Sequence, residues 1–166
     1  MKKHTFTALI LLAIAVVIGS CIKNNTTPRD CAAVTAVAPA AETARLKQYL
    51  DSTGTTAIQD SRGFFYNLDL SGSTDTLHPT VCSDVSVTYT VTYLNGDTLE
   101  TSGPTTPISL NLSGTITGWQ EAIPLMKKNA NMVLYLPPSL AYGSSDYQGV
   151  PGNSYLIFTI KLWGFN

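Results

Sequence analysis

Charge is scarce in this 166-residue chain. Lys, Arg, Asp and Glu make up 13% of it against 44% apolar residues, a balance that excludes a disordered chain and favours a globular, β-leaning one. No cluster of Lys or Arg stands out, so no nucleic-acid partner is expected. Internal repeats, heptad runs and glycine-rich phosphate loops are also missing, which sets aside solenoids, coiled coils and nucleotide-phosphate binders. The sequence holds three cysteines. Neither Cys31 nor Cys82 has another cysteine or a histidine at zinc-ligand spacing, and His78 beside Cys82 does not complete a site, so no metal is expected. The length suits one domain with a modest core.

The apolar run at residues 8–18 follows Lys2-Lys3 and ends in small residues before Cys21. It is too short to span a bilayer comfortably and reads as an export signal. Ile18-Gly19-Ser20-Cys21 also looks like the lipobox of bacterial lipoproteins, in which the cysteine becomes the lipid-bearing N-terminus. The plainer alternative is an ordinary signal peptide that happens to abut a cysteine. Loss of residues 1–20 removes Lys2 and Lys3 but no acid, taking the formal net charge from −1 to −3. Membrane contact would then come from lipid on Cys21 rather than from charge. With Cys21 assigned to the anchor, Cys31 and Cys82 remain in an oxidising compartment, where a disulfide between them is expected, the alternative being two buried free thiols.

Residues 22–30 are polar and aperiodic, as in a tether. Helix formers dominate residues 40–50, with Leu46 and Leu50 four apart on one face and Ser52-Thr53-Gly54 as a stop. Residues 57–70 alternate on either side of Ser61-Arg62-Gly63, a hairpin pattern that sets Phe65, Asn67 and Asp69 opposite Phe64, Tyr66, Leu68 and Leu70. Residues 85–93 alternate again and turn at Asn95-Gly96, the strongest hairpin signal in the chain. Further strands are expected at residues 108–112, 132–136 and 155–163, and one helix at 119–128, in which Pro124 is tolerable only if it falls in the first turn. The fold class is α+β, an antiparallel sheet with a short helix against it. The domain plan is signal 1–20, tether 21–31, a helix-and-hairpin extension 32–84 and a main domain 85–166.

From Val85 onward, a strand with Tyr89-Thr90 and the Asn95-Gly96 turn lead to Thr115-Ile116-Thr117-Gly118-Trp119-Gln120-Glu121-Ala122. Then come Leu134-Tyr135-Leu136-Pro137-Pro138-Ser139-Leu140-Ala141-Tyr142-Gly143 and a closing strand at residues 156–162. In this order and spacing the last half of the chain resembles the FKBP-type peptidyl-prolyl cis-trans isomerases. The resemblance implies a sheet wrapped on a short helix and an apolar cup that takes a proline ring. It places Leu99, Ile108, Thr115, Trp119, Val150 and Phe158 as substrate-binding residues. Tyr89, Glu100, the Ile116 backbone N–H and the Tyr142 hydroxyl become the catalytic set. Taken singly, Tyr89, Ile108 and Phe158 read equally as core, since aromatic and branched residues on strands usually pack.

The sequence departs from the family pattern at three points. Leu99 stands where an aromatic wall is usual, and Glu100 replaces an aspartate, its longer arm leaving the hydrogen bond to Tyr89 open to loss or rerouting. Val150-Pro151-Gly152 replaces Ile-Pro-Pro, with Gly152 expected to relax the flap. The implied activity is isomerisation of X-Pro bonds in exported or unfolded proteins, with no cofactor. The alternative is a non-catalytic module that holds proline segments or a partner. A monomer is expected, anchored by lipid in the cell envelope and facing the periplasm at the outer membrane.

Overall fold

The computed structural model describes residues 31, 32 and 34–166. The export signal, Cys21 and tether residues 22–30 lie outside the described residues. The chain runs through α1 (Ala40–Thr53), β1 (Ile58–Gln59), β2 (Phe65–Asp69), β3 (Asp84–Tyr93), β4 (Thr98–Thr101), β5 (Ile108–Asn111), α2 (Thr117–Ala122), β6 (Asn131–Leu136) and β7 (Leu156–Phe165). All pairings are antiparallel, in the order β1-β2-β6-β7-β3-β4, with β5 also on β3. This is the α+β class expected from the sequence, and the hairpin of residues 57–70 is joined to the same sheet through β2 and β6.

Strand alternation divides the apolar residues between two faces. On β6, Met132, Leu134 and Leu136 enter the main core with Phe158, Ile160 and α2. Val133 and Tyr135 turn to the other face, where Phe65 meets Leu46 and Leu50 of α1. The neighbours Phe64 and Phe65 therefore separate, one into each core. Amphipathic spacing docks α1, as a period-3.6 stripe should.

β3 is the strand that creates the opening. It pairs with β7 along its length, while its other edge is shared: β5 takes residues 84–87 and β4 takes residues 90–92. Tyr89 falls between these two partners. Its backbone N–H donates to Ser102 Oγ at 2.9 Å, and its carbonyl accepts from the Ser102 N–H at 3.0 Å. These bonds hold the strand where the ladder is interrupted.

The chain departs from its local signals at three places. α1 continues past Leu50 to Thr53, because the hydroxyls of Ser52 and Thr53 bond back to the carbonyls of Tyr49 and Leu50. Gly54, at φ +66°, then ends the helix. α2 starts two residues before Trp119 and stops at Ala122, followed by a 3₁₀ turn, Ile123–Leu125. Pro124 lies in that turn rather than in the first turn of α2: without an N–H, and with its ring against the preceding turn, it cannot continue an α-helix. Finally, Leu112 opens a 3₁₀ turn (Leu112–Gly114) instead of closing β5, and its carbonyl accepts from both the N–H and hydroxyl of Thr115.

Cys31 and Cys82 form a disulfide across 51 residues. Residues 36–38 lie on the domain. The Ala36 N–H donates to Glu121 Oε1 at 3.0 Å, the Ala38 N–H donates to the Arg62 carbonyl at 2.8 Å, and Ala38 is buried.

Candidate active site

The site begins with α2. Gly118 sits so close to β6 that a Cβ there would overlap the Leu136 methyl groups, so any larger residue would force Leu136 or the helix to shift. That seating pushes Trp119 into the core, where it is 4% exposed. Its ring meets Tyr89 edge-on at 5.3 Å and Phe158 at 5.6 Å. Both geometries suit the aromatic quadrupole. Packing stops there. Above Trp119 lies a cavity of about 270 Å³, lined by Tyr89, Thr115, Ile116, Tyr142 and Phe158 among others.

Six of the ten residues that the sequence assigns to the pocket thus line this one cavity. The other four stand outside it. Ile108 packs on the main core, and Leu110, one pleat along the same strand face, lines the cavity in its place. Leu99 is half-buried against the core. Val150 is buried and exchanges two backbone hydrogen bonds of 2.9 Å with Tyr147, so it supports the rim from behind. Glu100 is exposed, yet it keeps the bond its longer arm put in question: Tyr89 Oη donates to Glu100 Oε1 at 2.7 Å.

Sequence reasoning missed Leu110, Gly114, Tyr147 and Gln148. The period of β5 could have found Leu110, since it shares a face with Ile108. Tyr147 had no local signal. It stacks on Tyr142 at 5.5 Å with 16° between the rings, held by a tight turn in which Gln148 and Gly149 both take positive φ. Gly152 is tied into this flap. Its N–H donates to Asp146 Oδ1 at 2.8 Å, and a Cβ would overlap the Ser144 carbonyl, so the glycine permits a close backbone approach.

Polar and apolar groups both face the cavity. Among the described residues, no acceptor engages the Ile116 N–H at the start of α2 and no partner bonds the Tyr142 hydroxyl. The indole Nε1 of Trp119 is buried without a partner. Burial pushes the hydroxyls of Tyr89 and Tyr142 above the ordinary phenol value, with the Glu100 carboxylate adding to the effect on each. Both therefore stay protonated at neutral pH and remain donors. Among the described residues no group of acidic, histidine or cysteine side chains is arranged to hold a metal ion. The arrangement can desolvate a small apolar ring and offer donors to a carbonyl beside it.

The family model described as FKBP-type peptidyl-prolyl cis-trans isomerase matches residues 76–163. The chain belongs to this family. It is 37% identical over 103 residues to the isomerase FkpA of Buchnera aphidicola (strain APS), covering 61% of this chain and 42% of the relative. To FkpA of Escherichia coli K12 it is 35% identical over 105 residues, 61% of this chain and 37% of the relative. The chain therefore spans less than half the length of these FKBP relatives. The crystal structure of E. coli FkpA superposes with a TM-score of 0.66 at 29% identity, over 76% of this chain and 60% of the other. A Pseudomonas syringae peptidyl-prolyl isomerase shares the fold, with a TM-score of 0.64 at 20% identity over 80% and 99% of the two chains.

Proposed function

We propose that the protein is a peptidyl-prolyl cis-trans isomerase acting on X-Pro bonds of unfolded or exported polypeptides. The observation that carries this reading is the aromatic cup of Tyr89, Trp119, Tyr142 and Phe158 with the free Ile116 N–H at its edge. An X-Pro bond rotates over a barrier of roughly 18–20 kcal/mol set by amide resonance. No bond is made or broken. Water solvates the planar, dipolar amide well, whereas a dry cup favours the twisted amide, in which nitrogen and carbonyl are decoupled. The proline ring would sit on Trp119 between Tyr89 and Phe158. The Ile116 N–H and the Tyr142 hydroxyl would hold the carbonyl as it turns. Glu100 would act one step removed, by fixing the Tyr89 ring through its hydroxyl.

The lipobox-like residues before Cys21 support attachment of the chain to the cell envelope by lipid on that cysteine. The Cys31–Cys82 disulfide is consistent with an oxidising compartment such as the periplasm. In this reading the protein works as a monomer at the outer membrane, meets newly exported chains and accelerates a step slow enough to limit their folding. Residues 32–84 form the extension that accompanies the isomerase domain of residues 85–166.

The test is the rate of isomerisation of a short X-Pro peptide by the purified protein, beside Tyr142→Phe. The expected result is a rate well above buffer for the parent and about 2- to 10-fold slower turnover for the variant, the worth of one neutral hydrogen bond of roughly 0.5–1.5 kcal/mol. A rate no faster than buffer, with peptide binding retained, identifies instead a binding module that uses the same cup.

A further inference from the structure

Glu42 lies in the first turn of α1, where a carboxylate would by default face its own helix N-terminus. Instead its Oε2 accepts two hydrogen bonds from a residue 97 positions away: the Ser139 N–H at 3.0 Å and the Ser139 hydroxyl at 2.8 Å. Ser139 is the middle residue of the 3₁₀ turn Pro138–Leu140, which leads directly into Tyr142.

That turn is bonded as one unit. The Leu140 N–H donates to the Pro137 carbonyl, and the N–H groups of Ala141 and Gly143 both donate to the Pro138 carbonyl at 3.0 and 2.8 Å. Pro137 and Pro138 restrict its backbone further. Ser139 N–H finds no partner within the turn, and Glu42 is the group that takes it. A pull on Ser139 is therefore a pull on the Tyr142 backbone. α1 does not depend on this contact for docking, because Leu46 and Leu50 hold it against Phe65 and Tyr135.

We propose that Glu42 is a positioning residue, through which the N-terminal helix sets the Tyr142 hydroxyl over the cup. The inference rests on the isomerase reading for its effect on rate, but not for its effect on Tyr142. The helix thereby becomes part of the functional unit although it lies outside the residues matched by the family model.

The experiment compares Glu42→Ala, Glu42→Gln and the same changes in a Tyr142→Phe background. Glu42→Ala is expected to lower kcat about 2- to 10-fold with KM within about twofold. Glu42→Gln, whose amide oxygen still accepts from Ser139, should recover the parent rate to within about twofold. In the Tyr142→Phe background Glu42→Ala should cost nothing further, because the group it positions is gone. Losses that multiply in the double variant, or an unchanged rate in Glu42→Ala, overturn the proposal. The second readout needs no activity. The Tyr142 ring signals in the NMR spectrum, assigned by their loss in Tyr142→Phe, should shift in Glu42→Ala and return in Glu42→Gln. If they do not move, the proposal fails even should the isomerase reading stand. If they move in a protein that does not isomerise, the isomerase reading fails alone.

Discussion

Among the described residues, the α1 face of the sheet is closed in the sense that its buried side-chain polar atoms are all partnered, whereas the α2 face is open, with buried polar atoms left unpaired. Under α1, Leu46 and Leu50 meet Phe65 and Tyr135, and among the described residues this cluster contains no buried side-chain polar atom without a partner. Under α2 the packing stops at Trp119. A cavity opens there, and the two buried side-chain polar atoms left unpartnered among the described residues, Trp119 Nε1 and Glu121 Oε2, belong to this one short helix. The local rules of folding are obeyed on the first face and broken on the second. Such exceptions cluster where a structure keeps a site instead of completing its core.

Two truncations would break or sharpen that contrast. Trp119→Ala removes the largest side chain of the open face and should lower stability by about 3–5 kcal/mol while abolishing binding of proline peptides. Leu46→Ala on the closed face should cost a comparable or somewhat smaller amount, about 2–5 kcal/mol, and leave peptide binding by the folded protein intact. Denaturant unfolding and peptide titration measure both. Equal loss of binding in the two variants would show that the faces are not separable.

Gly118→Ala comes next. On an exposed helix position this change would stabilise by roughly 0.5–1 kcal/mol. Here the new methyl meets fully buried Leu136, so the expected outcome is a net loss of about 1–3 kcal/mol and weaker peptide binding as Trp119 is displaced. A rise in melting temperature would mean that α2 can lift from β6 without cost.

The smallest effect concerns Glu121. Burial pushes its carboxyl above the ordinary value of 4.5, only partly offset by the Ala36 N–H and the Arg62 charge. A raised folded value means that the fold prefers the protonated form. Its contribution to stability is full below 4.5 and is lost as pH rises through the raised value. Glu121→Gln keeps an acceptor for Ala36 and removes the titration. Melting temperatures from pH 4 to 7 should therefore fall for the parent relative to the variant. Parallel curves would show that Glu121 is not carrying the electrostatic strain of the open face.

Much of the fold was legible in short-range pattern. Alternation marked β3 and separated Phe64 from Phe65, Asn95-Gly96 marked the turn between β3 and β4, and Gly54 marked the end of α1. These signals are local because backbone conformation depends on a residue and its near neighbours. The six cavity residues named from sequence came from matching an ordered set of motifs rather than from periodicity. Where competing local effects met, pattern was less decisive: Pro124 could open a helix or end one, and the hydroxyls of Ser52 and Thr53 could stop α1 or prolong it.

What the sequence alone determined is thus the class of fold, the two amphipathic faces and the run of residues 115–143 that supplies Trp119 and Tyr142 to the cup. Only the tertiary structure decided which side chains close it. It chose Leu110 over Ile108, stacked Tyr147 on Tyr142, kept the bond from Tyr89 to Glu100 and brought Glu42 to Ser139. The physical reason is reach. These contacts depend on strand order, pleat and the path of a flap, which bring residues up to 97 positions apart to within hydrogen-bonding distance. No window along the chain contains that information.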